Sequence, residues 1–244
     1  MVTISTTSHK EAKGLTLGVY GRDGAGKTAL LPTAGEGTLI INVENKLLSI
    51  SDHNMPTIRV AEWTDWDEVK LWMDSSSEFK KFQRVAFDSI SELASISLSH
   101  QKSKCGDGRR VYGEHRDKFS TALRYIIALN DRGIDVVLNA KASLIDLPDG
   151  TKIYAPSLPG MSEEQALGYS LQELFYLGIG AYDGTPENGV TPKIEYRYLQ
   201  TKQDIYVQAR DNSRTLLAQE AAETKYGGGL SAIFAKIRNG AIVA

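Results

Sequence analysis

The chain has 244 residues, is 41% hydrophobic and carries a formal net charge of −2. This length and apolar content suit one α/β domain, and the near-neutral charge excludes a protein that binds nucleic acid through bulk positive charge. The single cysteine, Cys105, excludes an internal disulfide framework, and with only four histidines a structural zinc site is not expected.

The first 14 residues, MVTISTTSHKEAKG, contain no apolar segment of the kind found in signal peptides. No apolar run in the sequence approaches the roughly 20 residues that span a bilayer. We therefore expect residues 1–14 to be a tail on a cytoplasmic protein without a membrane partner.

The first structural elements surround a glycine-rich loop. The apolar run at 15–20, LTLGVY, predicts a buried parallel strand. A helix is expected from Lys27, kept short by Pro32 and Gly35. The run at 38–43, TLIINV, predicts a second buried strand, which ends at Glu44.

The middle of the chain alternates helices and strands. Thr64 is expected to cap a helix that reaches Ser75, with Asp67 in the capping-box position. A third strand, a helix, a polar loop, an amphipathic helix and a fourth strand should follow, at 84–88, 90–99, 101–116, 119–130 and 134–139.

The remaining sequence indicates antiparallel strands. A hairpin at 144–154 should turn at Pro148-Asp149-Gly150, and three more strands are expected at 175–181, 195–200 and 205–209. A glycine triplet at 227–229 precedes a last short helix at 231–237. We expect a single domain over residues 1–244, with a short C-terminal extension from 225. Its predicted fold class is α/β, a mainly parallel sheet with helices on both faces and an antiparallel C-terminal extension.

One motif indicates phosphate binding. Residues 21–28, GRDGAGKT, match the pattern G-x-x-x-x-G-K-[ST] and lie between a predicted strand and a predicted helix, which is the context that the motif requires. Backbone N–H groups of such a loop converge on phosphate oxygens, the lysine reaches the outer phosphates, and the threonine hydroxyl binds Mg²⁺. The expected cofactors are ATP and Mg²⁺, and the expected nucleotide-binding residues are Gly21, Arg22, Asp23, Gly24, Ala25, Gly26, Lys27, Thr28 and Ala29.

Two acidic residues end predicted strands. Asp88 ends the run RVAFD and is the expected second Mg²⁺ ligand. The alternative is an ordinary acid at a strand end that caps the next helix through Ser89. Ser89 also stands where many P-loop ATPases carry a catalytic glutamate. Glu44 is therefore the candidate general base, and the alternative is a surface acid.

Four stretches, GRDGAGKT, IINVEN, RVAFDSISEL and YRYLQTKQDIYVQAR, together resemble RecA-like core P-loop ATPases, and most closely the phage-encoded ATPases of single-strand annealing and recombination. They span residues 15–210. The resemblance implies a core-only RecA-like fold, Glu44 as catalytic base and Asp88 beside Mg²⁺. It also implies Lys141 as a γ-phosphate sensor and Arg210 as a catalytic finger that reaches a neighbouring subunit. The alternative for Arg210 is a surface ion pair.

The resemblance further implies two DNA-binding loops. The first is residues 101–116, with Tyr112 as a stacking surface and an excess of cations, Lys102, Lys104, Arg109, Arg110 and Arg116, over the acids Asp107 and Glu114. The second is residues 143–160, with Lys152 and Tyr154. The alternatives are a solvated charged loop and a plain hairpin.

The function that these features favour is a DNA-stimulated ATPase that assembles on single-stranded DNA and promotes annealing or recombination. The expected partners are single-stranded DNA, further copies of the chain in a ring or filament, and a single-strand-binding protein. If the chain is phage-encoded, it would act in the cytoplasm of a bacterial host. The alternatives are a helicase loader, a small-molecule kinase and a nucleotide-gated assembly factor without turnover. A GTPase is disfavoured, because Asn139-Ala140-Lys141 lacks the N-K-x-D spacing for guanine.

Overall fold

The computed structural model describes residues 14–161, 167, 171–185 and 191–240. Of the expected N-terminal tail, only Gly14 is among them. The α-helices of the described residues are α1 (Lys27–Leu30), α2 (Trp63–Ser75), α3 (Ile90–Lys104), α4 (Gly108–Ala128) and α5 (Leu230–Asn239). The strands are β1 (Thr16–Gly21), β2 (Thr38–Asn42), β3 (Thr57–Arg59), β4 (Arg84–Asp88), β5 (Asp135–Asp146), β6 (Lys152–Ser157), β7 (Glu173–Asp183), β8 (Lys193–Gln200), β9 (Arg210–Asp211) and β10 (Gln219–Ala221).

All ten strands belong to one mixed sheet, whose main order is β10-β8-β7-β1-β5-β4-β2-β3. The strands from β7 through β3 in this order run parallel, and β8 and β10 continue the sheet in antiparallel pairing. Strand β6 pairs with the distal half of β5, and β9 with the start of β7. The prediction of a mainly parallel sheet with an antiparallel C-terminal extension is confirmed.

Helices cover both faces of the sheet. The larger apolar cluster lies between the sheet and α2, α3 and α4, and the smaller one lies between the sheet and α1 and α5. Strand β4 contributes side chains to both clusters, because Val85 and Phe87 face the first and Ala86 faces the second. At the centre of the first cluster, the buried ring of Trp66 meets Phe87 and Tyr125 edge to face. Among the described residues, no helix combines the length and apolar character needed to cross a membrane.

The cap predicted for α2 was wrong by two residues. Glu62, and not Thr64, is the N-cap, and Asp65 takes the capping-box position predicted for Asp67. The Asp65 carboxylate accepts hydrogen bonds from the backbone of Ala61 and Glu62 at 2.7 and 2.9 Å. The start of the helix is fixed by burial, because Trp63 and Trp66 must both face the core.

The prediction of a polar loop at 101–116 was also wrong. Helix α3 continues to Lys104 and α4 already begins at Gly108, so only residues 105–107 connect them. The buried residues of α4 recur at helical spacing from its first turns: Val111, His115, Phe119, Ala122, Leu123 and Ile126. Packing of this stripe outweighs the low helix propensity of its glycines.

A strand expected at 205–209 is absent; only Val207 forms an isolated bridge, to Tyr154, before the two-residue β9. The Asp204 carboxylate accepts hydrogen bonds from the backbone of Tyr206 and Val207 at 2.7 and 2.9 Å. This local turn uses N–H groups that a ladder would need. Strands β3 and β10, of three residues each, were not predicted.

The buried carboxyl of Glu173 gives the fold a pH dependence. It is 3% exposed and accepts hydrogen bonds from the backbone of Asn212 and Ser213. Burial and the neighbouring Asp211 raise the pKa of Glu173 from 4.5 to about 8. Between these two values the folded chain binds the proton more tightly than the unfolded chain, so stability should fall as pH rises.

We therefore expect Glu173→Gln to remove a stability loss of up to about 1.4 kcal/mol per pH unit between about pH 5 and 8. The measurement is urea unfolding of both proteins at pH 5, 6.5 and 8. The substitution also replaces one acceptor oxygen, which changes the free energy of unfolding by an amount that does not vary with pH. Parallel stability profiles for the two proteins would show that Glu173 is ionised in the fold.

Candidate functional site

The glycine-rich loop joins β1 to α1 at the carboxyl edge of the parallel strands. Gly24 and Gly26 adopt positive φ angles of 79° and 96°, which glycine reaches without strain. Helix α1 begins at Lys27, so the loop and the first turn of the helix direct several backbone N–H groups to one point. Gly21 and Ala25 are buried, while Arg22, Asp23 and Ala29 are exposed at the rim.

The Lys27 ammonium lies over this loop. Its Nζ donates hydrogen bonds to the carbonyl oxygens of Gly21 at 2.8 Å and Arg22 at 3.0 Å. Burial lowers the pKa of Lys27, and the nearby carboxylates of Asp23, Glu44 and Asp88 oppose that effect. Phosphate oxygens are stronger acceptors than these carbonyls, so a bound phosphate would compete for the same donors.

The oxygen atoms expected to hold a metal ion come together beside the loop. Asp88 is 3% exposed, and its Oδ2 accepts a hydrogen bond from the Thr28 hydroxyl at 2.8 Å. Asn139, fully buried at the neighbouring position of β5, donates to Asp88 Oδ1 at 3.0 Å and to the Lys27 carbonyl at 3.1 Å. Burial raises the pKa of Asp88, although the bonds from Asn139 and Thr28 work against it.

This oxygen set fits Mg²⁺, a hard cation that proteins bind through one or two carboxylates together with substrate phosphates. Thr28 and Asp88 would hold the ion. Asn139 Oδ1 is also buried without a hydrogen-bond partner, so a polar ligand on that side would satisfy it. When bound, Mg²⁺ neutralises charge that develops on the transferring phosphoryl group.

Glu44 lies at the same edge of the sheet, one strand beyond Asp88. The backbone N–H groups of Val43 and Glu44 both donate to the Asp88 carbonyl, at 2.8 and 3.0 Å. The Ser89 hydroxyl donates to Glu44 Oε1 at 2.5 Å, and the Glu44 side chain is 15% exposed. A carboxylate fixed in this way can accept a proton from a water that attacks a phosphate above the loop.

Lys141 pairs through its backbone with Gly21, but among the described residues its side chain forms no hydrogen bond or ion pair with the glycine-rich loop. Its ammonium donates to Glu92 Oε2 at 2.8 Å and lies 3.8 Å from Glu44 Oε1. The hydrogen bond that Lys141 donates to Glu92 raises the pKa of Lys141 against the effect of partial burial, and the Glu44 charge adds to the rise. Lys141 therefore holds a positive charge beside the candidate base. It is the first residue of β5 that pairs with β6.

Arg210 lies away from the site. It pairs with Leu174 of β7, and Leu174 in turn pairs with Gly18 of β1, three residues before the loop begins. The other cationic candidates lie elsewhere: Lys102 and Lys104 on α3, Arg109, Arg110 and Arg116 on α4, and Lys152 on β6. Tyr112 of α4 is 46% exposed.

Two residues near the loop were not predicted. Asn139 carried a signal, since it is the polar end of the apolar run IDVVLN beside a strand that ends in Asp88. Arg197 of β8 carried none, although its Nε donates to the Ala25 carbonyl at 3.0 Å. Its contact depends on how the β7–β8 hairpin folds beside α1, which no local pattern encodes.

The arrangement supports nucleoside triphosphate hydrolysis. Backbone N–H groups and the Lys27 ammonium are positioned for the phosphates, Thr28 and Asp88 for the metal ion, and Glu44 for the attacking water. Phosphoryl transfer needs little beyond positioning and charge stabilisation of this kind.

Comparisons with known proteins identify a family for the chain. A family model described as AAA domain matches residues 13–213. A search of curated proteins finds no match. Among 138 matching chains of solved structures is a KaiC-like protein of the hyperthermophilic archaeon Pyrococcus horikoshii OT3, with 15% identity, 77% of each chain covered and a TM-score of 0.40. The chain, with its glycine-rich phosphate-binding loop, belongs to the AAA domain family of nucleotide-binding ATPases.

Proposed function

We propose that the protein is a DNA-stimulated ATPase that assembles on single-stranded DNA and promotes strand annealing or recombination. The observation that carries the proposal is the exposed cationic tip where α3 meets α4, which we name the α3–α4 tip and define as residues 101–116. The following contacts support it as a surface for a nucleic-acid strand.

The position of the tip follows from helix lengths. Helix α4 has 21 residues and is therefore about 31 Å long, and it ends shortly before β5 begins at the amino edge of the sheet. The parallel part of β5 spans only about 20 Å. The first turns of α4 therefore extend beyond the carboxyl edge, on the side where the glycine-rich loop lies.

The tip also adjoins the β5–β6 hairpin. His115 of α4 is fully buried and makes hydrogen bonds to the Pro159 carbonyl at 2.9 Å and to Ser97 at 3.1 Å. A Cβ atom on Gly160 would lie 2.6 Å from the His115 ring, so the chain leaving β6 packs closely on α4. The end of the second segment proposed to contact DNA therefore packs against the first.

The charges of the tip suit a phosphate backbone. Its acids are already engaged, since Asp107 caps α4 at the Arg109 N–H and Glu114 pairs with Arg110 at 2.7 Å. Within the described part of the chain, the other cations, Lys102, Lys104, Arg109 and Arg116, form no ion pair. The exposed Tyr112 ring adds a surface on which a base can stack. Lys152 contributes less, because it pairs with Asp146 at 3.0 Å.

We expect the double variant Arg109→Ala, Arg110→Ala to weaken binding of single-stranded DNA and to reduce the slope of log K against log salt by about one to two units. Each lost phosphate contact releases fewer counterions. The measurement is fluorescence anisotropy of a labelled oligonucleotide across a salt series, beside ATP turnover with and without the oligonucleotide. DNA-stimulated turnover should fall, and basal turnover should stay unchanged.

The matched control is Lys80→Ala, Lys81→Ala, which removes two adjacent exposed cations just before β4, at the opposite edge of the sheet. This pair should leave the salt slope unchanged. Equal slopes for the wild type and the Arg109, Arg110 variant would make the tip a solvated surface. Turnover that does not respond to DNA in the wild type would exclude the proposed function.

Assembly is the second part of the proposal, with Arg210 supplied to the nucleotide of a neighbouring subunit. Arg210 is half-buried, and across the described ranges it has neither an ion-pair partner nor a side-chain hydrogen bond. The absence of such a partner favours this role over the surface ion pair that was its alternative. A cation delivered in trans stabilises charge in phosphoryl transfer.

We expect Arg210→Ala to lose most turnover and to keep its ATP affinity. Mixed with Lys27→Ala subunits, it should recover activity that neither variant shows alone, because some interfaces would join an intact loop to an intact arginine. Turnover is measured against mixing ratio in samples whose co-assembly is checked by light scattering. No recovery in co-assembled mixtures would exclude the shared site.

A further inference from the structure

A cavity of about 270 Å³ opens beside the glycine-rich loop, on the flank of α1. Its floor is one face of the helix and the turn after it, formed by Gly26, Ala29 and Thr33. Its wall comes from β8 and from the segment after β10, through Arg197, Glu223 and Thr224. It therefore adjoins the phosphate site without sharing Asp88 or Glu44.

The size and direction of the cavity suit the non-phosphate part of a nucleotide. The glycine-rich loop would hold phosphates at the start of α1, where the N–H groups converge. The floor from Gly26 to Thr33 extends about 10 Å along the helix axis, which is the length of a nucleoside. The cavity volume lies slightly below the range for drug-sized ligands, which suits a ligand as small as a nucleoside.

Arg197 is fixed in place at the mouth of this cavity. Besides its hydrogen bond to the Ala25 carbonyl, it packs on Gly26, where a Cβ atom would lie 2.7 Å from Arg197 Nε. The guanidinium Nη1 is 3.6 Å from Glu223 Oε1. Arg197 therefore connects the loop to Glu223 within one subunit.

Glu223 has one oxygen engaged and one not. Its Oε1 lies 3.6 Å from both Arg197 Nη1 and Lys225 Nζ. Its Oε2 is buried and has no hydrogen-bond partner. A buried carboxylate oxygen without a partner costs free energy that a hydrogen-bond donor would restore. The last side-chain torsion of a glutamate is soft, so a turn about it would bring this oxygen to the wall of the cavity, where the donor would belong to the ligand.

We propose that Glu223 is a specificity-determining residue of the nucleotide site and that Arg197 positions it. Its free oxygen accepts a hydrogen bond from the nucleoside part of the nucleotide, either from a ribose hydroxyl or from the exocyclic amine of the base. The inference rests on the glycine-rich loop being an ATP site. The inference adds that residues outside that loop recognise the nucleoside.

The test is equilibrium binding of diphosphates, which avoids turnover. Isothermal titration calorimetry compares ADP with 2′-deoxy-ADP, 3′-deoxy-ADP and purine riboside diphosphate, which lacks the 6-amino group. The wild type should bind one of these analogues at least about tenfold more weakly than ADP, since hydrogen bonds to charged groups are among the stronger ones. The identity of that analogue tells ribose from base.

In Glu223→Ala, ADP should bind as weakly as that analogue, and the difference between the two ligands should fall below about twofold. Glu223→Gln keeps the shape of the side chain and covers the case in which the alanine variant does not fold; it should reduce the difference as well. Glu195→Gln removes an exposed carboxylate from the same strand as Arg197 and should preserve the difference.

Two results would overturn the inference and leave the proposed function standing. They are equal binding of all four diphosphates by the wild type, and a preference that survives in Glu223→Ala. In both cases ADP still binds, and binding still depends on Lys27. A wild type that binds no diphosphate would instead overturn the inference and the ATP site together.

Discussion

Replacing Glu44 with glutamine is expected to slow ATP hydrolysis at least about 100-fold and to leave ATP binding near the wild-type value. The side chain keeps its size and can still accept the Ser89 hydrogen bond, but it no longer takes up a proton. The backbone hydrogen bond from Glu44 to the Asp88 carbonyl does not involve the substituted group, so the metal and phosphate positions should be unaffected. Phosphate release and nucleotide titration, measured side by side, separate the two effects.

Glu36→Gln is the matched control for this experiment. Glu36 is an exposed carboxylate just before β2, and Glu44 follows the opposite end of the same strand. The control should turn over normally. Normal turnover in Glu44→Gln would instead make another group the base, and Asp88 would be the next carboxylate to test.

Lys27→Ala should reduce turnover by about 100- to 1,000-fold, the range for removing one donor that stabilises transition-state charge. Its ammonium is bound directly to the loop carbonyls of Gly21 and Arg22. The fold should survive, because Lys27 is only partly buried and lies outside both apolar clusters. Turnover and urea unfolding of the same samples test both statements.

Lys46→Ala serves as the control for Lys27→Ala. Lys46 is 73% exposed and lies 3.7 Å from Glu44, so it tests whether any positive charge near the base has this effect. It should cost little turnover. Equal turnover in Lys27→Ala and the wild type would remove the phosphate site from this loop.

The elements that sequence predicted best are those whose signals are local. The run RVAFD gave β4 with its bounds, and the turn at Pro148-Asp149-Gly150 joins β5 to β6 as expected. Each of these depends on a few neighbouring residues, on a short apolar run or on turn chemistry. The positions of Thr28, Asp88 and Glu44 at one edge then follow from parallel pairing alone.

Features that depend on distant contacts were missed. Helix α4 was expected to begin late, because its early residues are polar and the apolar stripe through Val111 and His115 is recognisable only against α3. The segment around Val207 has the composition of a strand, yet Asp204 turns it. Arg197 reaches the loop from 172 residues further along the chain. No periodicity in the sequence reports such a contact.

The position of β1 in the sheet has a consequence for how the chain acquires its structure. Thr16 pairs with Val136, and Leu17 pairs with Glu173, so both neighbours of β1 come from more than 110 residues later. Pairing over such separations must first overcome loop-closure entropy, which slows folding. During synthesis, β1 has no partner on either side until β5 and then β7 emerge. The nucleotide site should therefore form late, and the apolar edges of β1 are the segment that most needs protection from aggregation in the nascent chain.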